Sequence, residues 1–212
     1  CEAYYKIDDD IVLGSSFAGL GGTSNSYVFR GVIVGQKKSD GTYPTITNNS
    51  ASPLIRFSSG SVVKNINIKY TNVTLSKNNN NKLNYSTGKT EYYGGVMGVV
   101  FGGDNIIDNV KVTNPNITFA KNDNSKQHLI TAGGYVGAIV YGGVIFRNMN
   151  NVAKDSALTT NNTEAVGENA ATNLFINPYI GRVVNGFAIE EGKTFGKSTN
   201  LNNGRKNYLI TQ

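Results

Sequence analysis

The sequence predicts an all-β chain: a single-stranded right-handed parallel β-helix of about four to five coils, with an N-terminal cap and long polar loops on one side. Three observations predict it. First, Gly94-Gly95-Val96-Met97-Gly98-Val99-Val100-Phe101-Gly102-Gly103 returns as Gly133-Gly134-Tyr135-Val136-Gly137-Ala138-Ile139-Val140-Tyr141-Gly142-Gly143, and Pro178 to Gly186 is a third, looser copy. The central glycines Gly98, Gly137 and Gly181 fall 39 and 44 residues apart. Second, the chain is poor in Pro, with 4, and rich in Gly, with 25, while Asn is commoner still. Apolar runs of four to eight residues separated by Asn and Gly read as short strands joined by left-handed turns, which those two residues enter cheaply. Third, no apolar set at i, i+3, i+4, i+7 persists over three turns, so no helix is expected.

Taken in order, residues 1–26 carry Tyr4 to Ile7 and Ile11 to Leu13, split by Asp8-Asp9-Asp10 and followed by the Gly-rich Phe17 to Gly22. They are read as the cap that an open solenoid end requires, because uncapped it exposes core and unpaired backbone. The aspartate triplet lacks the spacing and distal Glu of a calcium loop and is read as a solvated turn. Residues 27–212 are then the β-helix domain, opening with Tyr27 to Gly35 and Tyr43 to Thr47. Ser52 to Phe57 starts the first full repeat and Gly60 to Ile68 is its second strand. Superposing Asn65 on Asn109 aligns Ile66 with Val110, Ile68 with Val112, Val73 with Ile117, Thr74 with Thr118 and Leu75 with Phe119. Each period supplies about three strands plus one polar excursion: Lys77 to Tyr93, Lys121 to Thr131, and Asp155 to Asn173. The ending Asn207-Tyr208-Leu209-Ile210-Thr211-Gln212 is strand-like and suggests a piece of a longer chain.

Two columns follow from this alignment. Asn65, Asn109, Asn148 and Gly192 share one position, and a position taken only by Asn or Gly is a left-handed turn. Stacked Asn side chains can bond along the column between rungs about 4.8 Å apart. The preceding residues are Lys64, Asp108, Arg147 and Glu191, whose charges alternate. Stacked rungs then set each charge over an opposite one, which opposes slippage of register.

The repeated Gly-Gly, aromatic or Val, Val-Gly-x-Ile-Val, Gly-Gly pattern, with a β-branched run ending in Asn, resembles the glycine-rich GLUG-type repeats of large bacterial cell-surface β-helix proteins. Gly19-Leu20-Gly21 with Phe29 to Gly35 is similar to the lead-in of such modules. The resemblance covers about residues 15 to 190. It implies a non-catalytic extracellular or secreted module for adhesion, display or spacing. Its motifs are structural and bring no catalytic residue; Arg56 stands where the other copies have Gly.

Function is less legible. A net charge of +6 invites a polyanion, but the 20 basic residues are scattered and unmixed with aromatics, so no nucleic-acid partner is expected. No run of 18 apolar residues occurs, so no membrane insertion by this segment is expected. No cofactor or metal is expected either. The surface candidate is the first-strand strip, which alternates Leu54, Val96, Tyr135 and Tyr179 with Arg56, Gly98, Gly137 and Gly181. A strand apolar on both faces is normally buried on both. The second face is therefore covered by the excursions, by neighbouring domains of the same chain, or by a ligand. A glycine floor edged by Arg56, Tyr135, Tyr141 and Tyr179 would suit a glycan or a partner protein at a cell surface. The rival class is a fragment of a polysaccharide lyase or glycoside hydrolase, which requires carboxylates such as Asp104, Asp108, Asp123, Glu164 and Glu168 to converge. Cys1 with His128 as thiol and base lacks an orienting third group, and His128 reads as a loop residue. Five Asn-x-Ser/Thr sites, at Asn48, Asn72, Asn84, Asn116 and Asn161, are near chance in so Asn-rich a chain.

Overall fold

The structure, a computed structural model, describes residues 2–22, 27–71, 73–75, 82–85, 88–113, 117–119, 128–149, 174–177 and 179–191. The strands, in chain order, are β1 (Tyr4–Ile7), β2 (Ile11–Leu13), β3 (Val32–Gly35), β4 (Thr45–Asn48), β5 (Ile55–Ser58), β6 (Val62–Tyr70), β7 (Val73–Leu75) and β8 (Lys82–Tyr85). They continue with β9 (Gly88–Gly94), β10 (Met97–Thr113), β11 (Ile117–Phe119), β12 (His128–Gly133), β13 (Val136–Arg147), β14 (Leu174–Asn177), β15 (Ile180–Val183) and β16 (Phe187–Glu190). The described residues contain no helix, and ten of these strands form one sheet in which the pairings are parallel. This arrangement fits a β-helix-like fold.

The long strands β6, β10 and β13 turn corners without losing their pairing. The first part of β10 pairs with β5, its middle with the start of β6, and its end with the rest of β6. The corners sit where the backbone can go left-handed. Among the described residues, Asn65, Asn109 and Asn148 are the non-glycine positions with positive φ, at 56°, 50° and 53°. An L-residue there incurs about 1–2 kcal/mol of Cβ strain, least troublesome for Asn, whose short side chain bonds locally. Register follows from the corners: Val110 lies beside Ile66, Val112 beside Ile68, and Ile117, Thr118 and Phe119 beside Val73, Thr74 and Leu75.

One expectation changes. The excursions are more than loops, because β9, β12 and β14 pair in parallel in a second sheet, with Thr131 beside Tyr92 and Phe175, and β8 joins its edge antiparallel to β9. A period therefore holds more than three strands, and His128 opens β12 opposite Lys89 rather than lying in a polar loop. Residues assigned to a cap also extend the main sheet: β1 pairs with β3 from Tyr4 beside Val32, and β2 pairs with β4.

The main core runs through the stack as inward columns. Ile33, Val63, Ile107 and Phe146 form one, and Ile46, Ile68 and Val112 belong to another; all are buried. Tyr70 donates its hydroxyl hydrogen bond to the Gly95 carbonyl at 2.7 Å, and burial pushes its pKa well up. We expect Asn109→Ala to lower the unfolding free energy by about 1–2 kcal/mol and Asn109→Gly to cost less, because Gly enters this region freely. Urea midpoints of the two variants check this; equal losses would sink the left-handed-corner account.

Candidate functional site

The first-strand strip is built by β5, β10, β13 and β15, with Met97 beside Ile55 and Val136, and Val136 beside Ile180. It is not an open surface. Leu54, Val96, Tyr135 and Val136 join the main core, while Phe57, Val99, Ala138 and Val140 form a second cluster with Val28 and Tyr92. Tyr92 comes from β9, so the return strand of an excursion helps cover the other face.

The expected floor and edges are accounted for one by one. Tyr135 is fully buried, stacks on Tyr179 at 5.5 Å between ring centres, and donates its hydroxyl to the Val110 carbonyl at 3.1 Å. Phe146 meets both rings edge-on. Burial, then the nearby Glu190 charge, raises the pKa of the half-buried Tyr179. Arg56 is 4% exposed, and its guanidinium donates to the carbonyls of Ala18 and Gly22, pinning the Gly-rich segment before β3. Burial lowers its pKa. The glycines serve backbone contact: a Cβ on Gly137 would lie 2.4 Å from the Gly98 carbonyl oxygen and 2.7 Å from that of Tyr93.

Tyr141 alone of the four stays on the surface, 49% exposed and edge-on to Phe101 at 5.2 Å. Its separation from Tyr135 has a definite cause. Ile139 pairs with Val100 but Tyr141 pairs with Phe101, so Val140 is an extra residue in β13. A bulge of this kind reverses the in-out alternation beyond it. Tyr141, expected at the edge of the strip with Tyr135, therefore lies on the other side of the strand.

The ladder residues do come together. Lys64 Nζ lies 3.0 Å from Asp108 Oδ2, and Arg147 Nε lies 2.6 Å from Glu191 Oε1. Register sets Asp108 beside both Lys64 and Arg147. Asn109 Nδ2 donates to Asn65 Oδ1 at 2.9 Å, as an Asn column requires. The next step differs: Asn148 Nδ2 donates to Asp108 Oδ1 at 2.7 Å, because the carboxylate is a stronger acceptor than the neighbouring amide. Gly192, the fourth position, lies outside the described residues, as do Cys1, Asp123, Glu164 and Glu168.

Of the carboxylates that a hydrolase or lyase would converge, Asp108 is buried within the ladder and Asp104 is exposed beside Gly103. Among the described residues no group of three His, Cys, Asp or Glu side chains could hold a metal. In the aspartate triplet, Asp10 ties β1–β2 to the chain ahead: it accepts from the Thr45 amide at 2.8 Å and from Lys38 Nζ at 3.1 Å. One buried centre escaped sequence reasoning. Asn105 accepts from the Ser58 hydroxyl and the Ser61 amide, and its Nδ2 donates to the carbonyls of Gly102, Gly103 and Gly143. Nothing in the sequence distinguishes this Asn from its many solvated counterparts, except its place directly after Gly102-Gly103-Asp104. At the β1 end, a mainly apolar cavity of about 370 Å³ is lined by Tyr5, Ile7, Ile11, Leu13, Phe17 and Leu20 among others.

No protein-family model, curated protein or solved structure matches this chain, so the resemblance to glycine-rich surface repeats draws no support from relatives.

The Thr45 amide bond, then Lys38, holds the Asp10 pKa below its ordinary 3.8. The contact therefore strengthens the fold above that value and is lost as pH falls through the lower folded pKa. Asp10→Asn should remove this acid dependence at the Thr45 amide, read by its chemical shift and hydrogen exchange. Identical titration in both proteins would exclude the role.

Proposed function

We propose that the parallel sheets close into a single-stranded right-handed β-helix of about four to five coils, and that this chain is a non-catalytic extracellular module for adhesion, ligand display or spacing. One observation carries the reading. Polar side chains that recur at the same place in successive repeats, Lys64, Asp108, Arg147 and Glu191 with Asn65 and Asn109, make rung-to-rung contacts. An enzyme on a repeat scaffold breaks its periodicity to gather unlike groups at one spot; here the recurring groups hold register instead. Solenoids offer long repetitive surfaces suited to spacing and to binding extended partners. The similarity to glycine-rich surface repeats belongs to the same proposal, as do a cell-surface location and a glycan or host-protein partner.

The discriminating experiment incubates the chain with polyuronates and neutral polysaccharides, following absorbance of the unsaturated uronate that a lyase forms and reducing ends that a hydrolase forms. The same preparation is applied to glycan arrays and to cell surfaces. Saturable binding without turnover is the expected outcome. Turnover would transfer the chain to the carbohydrate-active enzymes, and neither turnover nor binding would leave spacing as its role.

A further inference from the structure

The connection between β15 and β16 repeats a corner of the preceding rung. Val183 lies beside Ile139 and Phe187 beside Gly143, so residues 184–186 run over residues 140–142, with Asn185 on Tyr141 and Gly186 on Gly142. Gly186 is fitted closely against that rung: a Cβ there would lie 2.2 Å from the Gly142 carbonyl oxygen and 2.7 Å from Ile139 Cγ2. Only glycine suits such an approach. The earlier copies of the corner place Phe101 and Tyr141 before the glycine, whereas this one places Asn there.

We propose that Asn185 is a site of spontaneous modification, in which the backbone nitrogen of Gly186 closes on the Asn185 side-chain amide and the residue becomes aspartate or isoaspartate. The step balances with water as co-reactant. Base takes the Gly186 amide proton, the nitrogen bonds to Asn185 Cγ, the Cγ–Nδ2 bond breaks, and the departing group takes up a proton and leaves as ammonia. Water then opens the cyclic imide at either carbonyl. One opening leaves aspartate in an ordinary main chain; the other routes the main chain through Cβ and Cγ as isoaspartate, one atom longer. Several observations point to this residue. Asn185 is exposed, so water and base reach it. Among the described residues, neither its side chain nor the Gly186 amide makes a hydrogen bond, so both reacting groups are unengaged. Glycine also presents no side chain to crowd the attacking nitrogen, and no other described Asn is followed by Gly. Asn49, followed by Ser50, shows the contrast: its Oδ1 accepts from the Thr71 hydroxyl at 3.1 Å, and the Ser50 amide donates to Asn48 Oδ1 at 2.8 Å. The corner residues Asn65 and Asn109 precede the β-branched Ile66 and Val110, whose stiff side chains obstruct the nitrogen.

The longer main chain of isoaspartate has a structural consequence. Residues 184–186 match residues 140–142 in number, so an added atom cannot leave both Val183 beside Ile139 and Phe187 beside Gly143. β15 packs against β12 and β14 as well as β13, whereas β16 pairs with β13, so β16 gives way and the Arg147–Glu191 contact with it. None of this depends on the proposed surface role.

The test ages the whole chain at neutral and mildly alkaline pH and follows the peptide holding Asn185 by mass spectrometry, with N185Q and the chain unfolded in urea alongside. In the folded chain that peptide should become about 1 Da heavier. It should also divide into aspartate and isoaspartate forms, the latter identified by an isoaspartate-specific methyltransferase. The rate should rise about tenfold per pH unit, since only the deprotonated amide attacks. N185Q, which would have to close a larger ring, should keep its mass at this position. Amide exchange at Phe187 to Glu190 should be faster in the aged chain than in the fresh one, while N185Q aged in the same way keeps its protection. An Asn185 that persists in the folded chain while the unfolded chain converts would show that the rung holds nitrogen and side chain apart, and overturns the proposal. So does persistence in both. Conversion that leaves the protection of β16 unchanged upholds the site and overturns the loosening.

Discussion

The whole arrangement depends on the chain turning at the same point in each repeat. That point is the left-handed residue at Asn65, Asn109 and Asn148, whose φ values agree within a few degrees. At Asn65 and Asn109 such a residue turns the backbone without ending the strand, and Asn148 makes the same turn directly after β13. The carbonyls and amides on either side can therefore go on pairing with the rungs above and below. Because the corner is confined to one residue, an insertion on either side would displace a whole column of core side chains. The flanking contacts, Asn109 to Asn65, Asn148 to Asp108 and Lys64 to Asp108, act between rungs at this corner, where a slip would begin.

Close approach is the second constraint. The glycines of the first-strand strip bring backbone against backbone: the position a Gly181 side chain would occupy is 2.5 Å from the Gly137 carbonyl oxygen. With glycine there, the strip can sit between two apolar clusters, and residues on both its sides lie out of water. Hydrophobic burial on both faces is what parallel sheets ordinarily require. Here it is met by the return strands, which the polar composition of the excursions had concealed. Tyr92 and Thr131 are buried in that layer although the stretches leading to them are almost wholly polar.

The outer surface is then divided by position in the rung. Beyond the corner the outward side chains are Thr, Asn and Lys; before it they are Val and Ile beside an alternating ladder. Solvent alone would be indifferent to which strand carried the aliphatic residues. β-branched side chains are well suited to flat parallel strands, yet the polar face achieves the same backbone geometry with Thr at Thr45, Thr47 and Thr113.

Read alone, the sequence determined the strand class, the positions of the left-handed corners and the register between repeats, since these are local or periodic properties. Asn with Asn, Lys64 with Asp108, and Ile66 with Val110 all lie where spacing put them. The fate of the first-strand strip was settled only by tertiary structure. One extra residue at Val140 moved Tyr141 to the surface while Tyr135 stayed inside, and a bulge leaves no mark in composition. Arg56 read as a surface charge because its acceptors, the carbonyls of Ala18 and Gly22, are backbone atoms far away in the chain. Asn105 was indistinguishable from other Asn residues for the same reason: its partners are gathered by the stacking of three repeats. Periodicity specifies which residues are neighbours along a column, but which face of the sheet is covered, and by what, depends on the non-repeating segments that pack against it.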